Sequence, residues 1–165
     1  ISKNLIISFV RVSSFWMMPN GGLLGGQKWK NFKPTGNAAK GAELDILKGI
    51  GNYRPLLIKV EAHFFSMYKD VPRWHKLVNL LYELNYVLID WKSIGSHRAR
   101  IPAEADMIFI PNFNNSDGEK LIMNCKEKFL SLMLIFGQLK LMQTLIKRFN
   151  INNEELEKLE DYYFN

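Results

Sequence analysis

Between residues 38 and 50 the apolar positions Ala42, Leu44, Ile46, Leu47 and Ile50 recur at roughly helical spacing, and Gly51 is placed to cap that helix. Asn52-Tyr53-Arg54-Pro55 reads as a turn. The next run, Leu56-Leu57-Ile58-Lys59-Val60 closed by Glu61, is almost unbroken in its apolar character, which predicts a parallel strand covered on both faces. Asp70 is then an expected N-cap with Pro72 in the first helical turn. Trp74, Leu77, Val78, Leu80, Leu81 and Leu84 form the apolar stripe of that helix, and Asn85 ends it. Residues 86–91 predict a second strand. Residues 105–111 predict a third, expected to run antiparallel to its neighbour at or near the sheet's edge. After a loop at 112–118, one long helical region is expected from about residue 119 to 149, with Gly137 as a possible kink. Residues 154–163 predict a short acidic helix.

The first 40 residues differ from the rest. An apolar, strand-like stretch at 5–12 precedes a turn-rich segment running from Pro19-Asn20-Gly21-Gly22 to Thr35-Gly36-Asn37. Gly21 to Gly26 lacks the Lys-Ser/Thr of a phosphate loop, the dinucleotide spacing and a downstream acidic ribose partner, so a flexible loop is expected. Six of the 22 basic residues lie here with no Asp or Glu among them, so the whole net charge of +6 sits in this leader. Its lysines fall among Gly, Asn and Trp without helical or strand spacing, and nucleic-acid binding is not the expectation.

A chain of 165 residues that is 47% hydrophobic is one domain's worth, with enough apolar material for a core. Its single cysteine, Cys125, excludes an intramolecular disulfide and fits a reducing, cytoplasmic setting. No run approaches the ~18 apolar residues of a membrane span. Three scattered histidines and one cysteine show no metal-ligand spacing, so no metal is expected.

Gly41-Ala42-Glu43-Leu44-Asp45-Ile46-Leu47-Lys48-Gly49 and the strand after it resemble the FkbM-type S-adenosylmethionine-dependent methyltransferases. So do Leu80-Leu81-Tyr82-Glu83-Leu84-Asn85-Tyr86 and Pro102-Ala103-Glu104-Ala105-Asp106-Met107-Ile108-Phe109. The resemblance covers about residues 41–112. It implies an α/β fold: a partial Rossmann-like methyltransferase sheet, its second half, parallel except for one antiparallel strand, with C-terminal helices added. Three segments follow: a basic, Gly/Asn-rich leader at 1–40, the methyltransferase-like half-domain at 41–113, and a helical extension at 114–165. The family's acidic, glycine-rich donor loop and its ribose-binding acid have no counterpart here. Where the family carries Lys-Ile-Asp-x-Glu/Gln-Gly before this helix, the Asp position holds Ala38 and the Glu/Gln position holds Lys40. The leader is therefore expected to be truncated or rearranged relative to the family, an expectation that the N-terminal isoleucine also suggests.

Methyl transfer requires an acceptor oxygen held in line with the sulfonium methyl, and a base where the acceptor is weakly acidic. In open α/β sheets this chemistry sits at the carboxyl ends of the strands. Glu61 and His63 are the catalytic candidates on that ground, the competing expectation being a surface histidine and a solvated glutamate. Asp90, Trp91, His97 and Arg100 are the candidates for binding the acceptor. Glu104 and Asp106 are expected to pair with nearby basic residues. By resemblance the chain is a methyltransferase acting on a hydroxyl of a sugar or small metabolite, with S-adenosylmethionine as the implied cofactor, bound weakly or not at all. The alternative is a non-catalytic module that covers its unpaired sheet edge by oligomerising or by pairing with a complementing chain.

Overall fold

The computed structural model of the chain describes residues 9–12, 43–65, 72–96 and 102–151. The glycine-rich leader segment, Asp70, the 97–101 loop and the expected acidic helix at 154–163 lie outside the described residues. The elements are β1 (Phe9–Val12), α1 (Glu43–Lys48), β2 (Leu57–His63), α2 (Trp74–Glu83), β3 (Tyr86–Ser96), β4 (Pro102–Pro111), α3 (Ser116–Asn124), α4 (Lys126–Ile135) and α5 (Leu139–Phe149). The chain is thus mixed α/β. It divides into two compact units, Ile1–Ile110 and Pro111–Asn165.

The first unit is built on a sheet whose described strands are ordered β1-β2-β4-β3. β2 runs parallel to β1, in a register that sets Val10 beside Ile58, and antiparallel to β4. Residues 97–101 alone link β3 to its neighbour β4, too short a connection for a crossover, so that pair is antiparallel as well. The third predicted strand is therefore antiparallel and near the edge, as expected, lying one strand in from β3 among the described strands. β4 is inserted between β2 and β3, and its own side chains explain why: Met107, Phe109 and Ile110 are fully buried, as an interior strand requires.

Alternation along β2 sorts its side chains onto two faces. Ile58, Val60 and Ala62 stand opposite Phe109, Met107 and Ala105 of β4. They join Tyr86 of β3, Leu47 of α1 and Leu77, Val78 and Leu81 of α2 in one core. Burying each large side chain of this set contributes roughly 1.5–3 kcal/mol. The other face carries Leu57, Lys59, Glu61 and His63 against Glu104, Asp106 and Ile108. Lys59 and Glu61 are only partly buried, so β2 alternates rather than being apolar on both sides as its near-continuous run predicts.

Local signals set the ends of these elements. Gly51 (φ 58°) and Asn85 (φ 71°) both occupy the left-handed region, where the chain turns out of α1 and α2. α2 begins later than its sequence suggests: Arg73 is the N-cap, and Pro72 precedes the helix instead of lying in its first turn. Tyr86 then locks the start of β3 to the turn before β2, its hydroxyl donating to the Pro55 carbonyl at 2.9 Å in a buried setting.

In the second unit, the single long helix expected over 119–149 is three helices. Asn115 starts the first, its Oδ1 accepting from the Gly118 N–H at 2.8 Å. Cys125, with φ −130° and ψ 32°, separates α3 from α4. Gly137 (φ 69°) ends α4 in a Schellman turn, with Gln138 N–H donating to Met133 O at 2.8 Å and Gly137 N–H to Leu134 O at 3.0 Å. Asn150 (φ 51°) repeats the device after α5. Phe129, Leu130, Met133, Leu145 and Ile146 are buried within this unit. The Arg148 guanidinium lies over the Phe113 ring at 5.5 Å and donates to Asn114 Oδ1 at 2.9 Å. Among the described residues no helix is long and apolar enough to cross a membrane.

Candidate acid–imidazole site

The polar face of β2 and β4 gathers a compact set of ionisable groups. Antiparallel register brings His63 opposite Glu104 and Glu61 opposite Asp106. Because i and i+2 share a face, Glu61 and His63 point the same way from β2, and Glu104 and Asp106 point to meet them from β4. His63 is 1% exposed, whereas the Glu61 and Glu104 side chains are 21% and 23% exposed. The imidazole therefore sits at the bottom of the cluster, with a carboxylate on each side. Its Nε2 lies 3.9 Å from Glu61 Oε1, and its Nδ1 lies 3.7 Å from Glu104 Oε2.

Those separations are within ion-pair range but longer than the 2.7–3.2 Å of a hydrogen bond to nitrogen. Both ring nitrogens are buried and have no hydrogen-bond partner. Leaving such a group unsatisfied costs roughly 1–3 kcal/mol. Beside the imidazole, Lys59 forms an ion pair with Asp106, whose second oxygen is buried and unpaired. An imidazole flanked by two carboxylates can take a proton on one nitrogen while the opposite carboxylate steadies the resulting cation.

The catalytic pair expected from sequence is thus brought together, and both residues lie within the last three positions of strand β2 rather than beyond it. The alternative of a surface histidine does not hold: His63 is among the most buried polar residues described. Asp106 pairs with a basic residue as expected, whereas Glu104 faces His63. Glu104 is the functional candidate that sequence reasoning assigned to a different role. The signal for it was the alternation Glu104-Ala105-Asp106-Met107 matched against Glu61-Ala62-His63.

The expected acceptor-binding residues are more dispersed. β3 runs on to Ser96, so Asp90 and Trp91 lie in mid-strand and not at its carboxyl end. Trp91 is 56% exposed and meets the edge of Phe64, the residue after His63, at 6.0 Å between ring centroids. Phe64 in turn lies 6.3 Å from Trp74, which places an aromatic group next to the imidazole's own strand end. Asp90 is half-buried. His97 and Arg100 lie outside the described residues. His75 is exposed on α2 against Trp74 and is not one of the clustered residues. No protein-family model, no curated protein and no solved structure matches this chain.

Proposed function

We propose that the chain carries the acceptor side of a methyltransferase-type α/β domain, resembling the FkbM-type enzymes, that acts on a hydroxyl of a sugar or small metabolite. The observation that carries this reading is the meeting of Glu61, His63 and Glu104 at the carboxyl end of β2, on a strand with a parallel neighbour on one side and a single inserted antiparallel strand on the other. That is where an open α/β sheet holds its chemistry, and one antiparallel strand is what the resemblance implies. In the proposed reaction the acceptor O–H bond breaks and its proton passes to an imidazole nitrogen of His63. The oxygen lone pair forms the new bond to the methyl carbon, and the carbon–sulfur bond of the sulfonium donor breaks. A carboxylate beside the protonated ring, Glu104 or Glu61, offsets its charge.

The donor, S-adenosylmethionine, is the weaker half of the proposal, because the residues that carry the resemblance include no donor-gripping loop. We expect donor binding weaker than micromolar by calorimetric titration of the 165-residue chain. Transfer of a labelled methyl group to a panel of hydroxylated sugars at millimolar donor tests the activity. Product that disappears in His63→Gln supports the reading, and no product from any acceptor overturns it.

A second reading, a non-catalytic interaction module, is favoured by one observation. β3 ends the described sheet and exposes Trp91 there, a strand edge suited to pairing with another chain. Light scattering across a concentration series separates the two, since this reading requires a dimer or larger assembly.

A further inference from the structure

The buried imidazole between two carboxylates has a use that does not depend on methyl transfer. We propose that Glu61, His63 and Glu104 form a binding site for a divalent transition-metal cation of the zinc class.

The argument starts from the donor set. One ligand atom from each of the three residues can be chosen so that all lie within 4.8 Å of one another. In a tetrahedral site, ligands each held at ~2.1 Å stand ~3.4 Å apart, so closing onto a cation draws the widest pair in by about 1.4 Å. The Glu61 and Glu104 side chains retain partial exposure, which gives them room to adjust, while His63 is fixed by its burial. A rigid imidazole with two adjustable carboxylates supplies three protein ligands. It leaves a further position for water or an acceptor hydroxyl, the composition of an open zinc site.

The second observation is independent of the cluster's acidity. His63 is 1% exposed, and neither ring nitrogen has a hydrogen-bond partner. A buried, unpartnered imidazole aimed between carboxylates is destabilising as it stands and is satisfied by a cation. The neighbouring cation on β2 does not fill that role, because Lys59 is engaged with Asp106. Nitrogen and carboxylate oxygen together select a borderline cation such as zinc over calcium or magnesium, which prefer all-oxygen sites.

The sequence hides this set because its ligands come from two strands. Glu61 and His63 are two residues apart, but Glu104 joins them only through the β2–β4 register.

The test is calorimetric titration of the metal-free chain with zinc, followed by cobalt(II) with its visible spectrum as the second readout. Binding that saturates at one ion per chain is expected. Glu61→Gln and Glu104→Gln, each isosteric and shown folded by circular dichroism, should each weaken zinc at least ~tenfold. His75→Gln and Cys125→Ser should leave affinity unchanged. X-ray absorption on the zinc-loaded parent chain should show only nitrogen and oxygen neighbours with one imidazole among them. The proposal is overturned by an absence of saturable zinc or cobalt binding at millimolar metal. It is equally overturned if the carboxylate variants bind as tightly as the parent, if either control variant abolishes binding, or if sulfur appears in the metal's shell.

Discussion

Replacing Tyr86 by Phe removes one oxygen and tests how the first unit is tied together. The hydroxyl donates to the Pro55 carbonyl at 2.9 Å, bridging the start of β3 and the turn ahead of β2, and Tyr86 is 2% exposed. Deleting the donor strands a carbonyl in a dry setting, which costs about 1–3 kcal/mol at neutral pH. The same burial raises the Tyr86 pKa well above its ordinary value of 10.0, with the nearby Arg54 opposing the shift only in part. The sign of the pH dependence follows. The folded state holds the phenol proton more tightly than the unfolded chain, so the folded state binds more protons above pH 10 and its stability falls as pH rises. At pH 11 an unfolded-state tyrosine of ordinary pKa has gained about 1.4 kcal/mol from ionising. Tyr86→Phe cannot lose this increment. Tyr53, whose pKa burial also raises, contributes to the alkaline slope of both proteins and cancels in the comparison. Urea unfolding at pH 7 and pH 11, followed by circular dichroism, should therefore show the parent's advantage over the variant shrinking by about 1.4 kcal/mol. An advantage that is constant or grows with pH would refute the assigned hydrogen bond and burial.

Other substitutions probe the remaining parts. Phe109→Ala, at a fully buried site on the inserted strand β4, should cost about 3–5 kcal/mol in urea unfolding, while Tyr82→Ala, 52% exposed, should cost under about 0.5 kcal/mol. Gly118→Ala would put a methyl 2.1 Å from the Asn112 carbonyl oxygen, and should destabilise the second unit by about 1–3 kcal/mol in thermal melts. Asn115→Ala removes the N-cap of α3 and should cost about 1 kcal/mol by the same measurement.

How far the sequence discloses this molecule depends on where each signal resides. Strand β2 is legible from its apolar run, and helices α1 and α2 from apolar positions that have a period and ends followed by Gly51 and Asn85. The helix breaks at Cys125 and Gly137 are harder to see, since the apolar pattern runs on through α3 to α5 while a single residue at each break leaves helical geometry. The interior place of β4 is a pairing choice, and periodicity along one strand does not specify its neighbours. For the site, Glu61 and His63 stand out because they sit together at a strand end. Glu104 does not, because its meeting with His63 exists only once register is fixed. Lys59 is the reverse case. Within a run whose apolar character predicts cover on both faces, it marks a polar face shared with Glu61 and His63 and is paired to Asp106.

The measurement closest to the centre of this account is isotope-edited NMR of the backbone across β2 and β4. Cross-strand contacts linking Glu61 with Asp106 and His63 with Glu104 are expected, together with an amide of Phe64 protected by its bond to the Ala103 carbonyl. Contacts from β2 to β3 in place of β4, or a register shifted by one residue, would turn His63 away from Glu104 and contradict it.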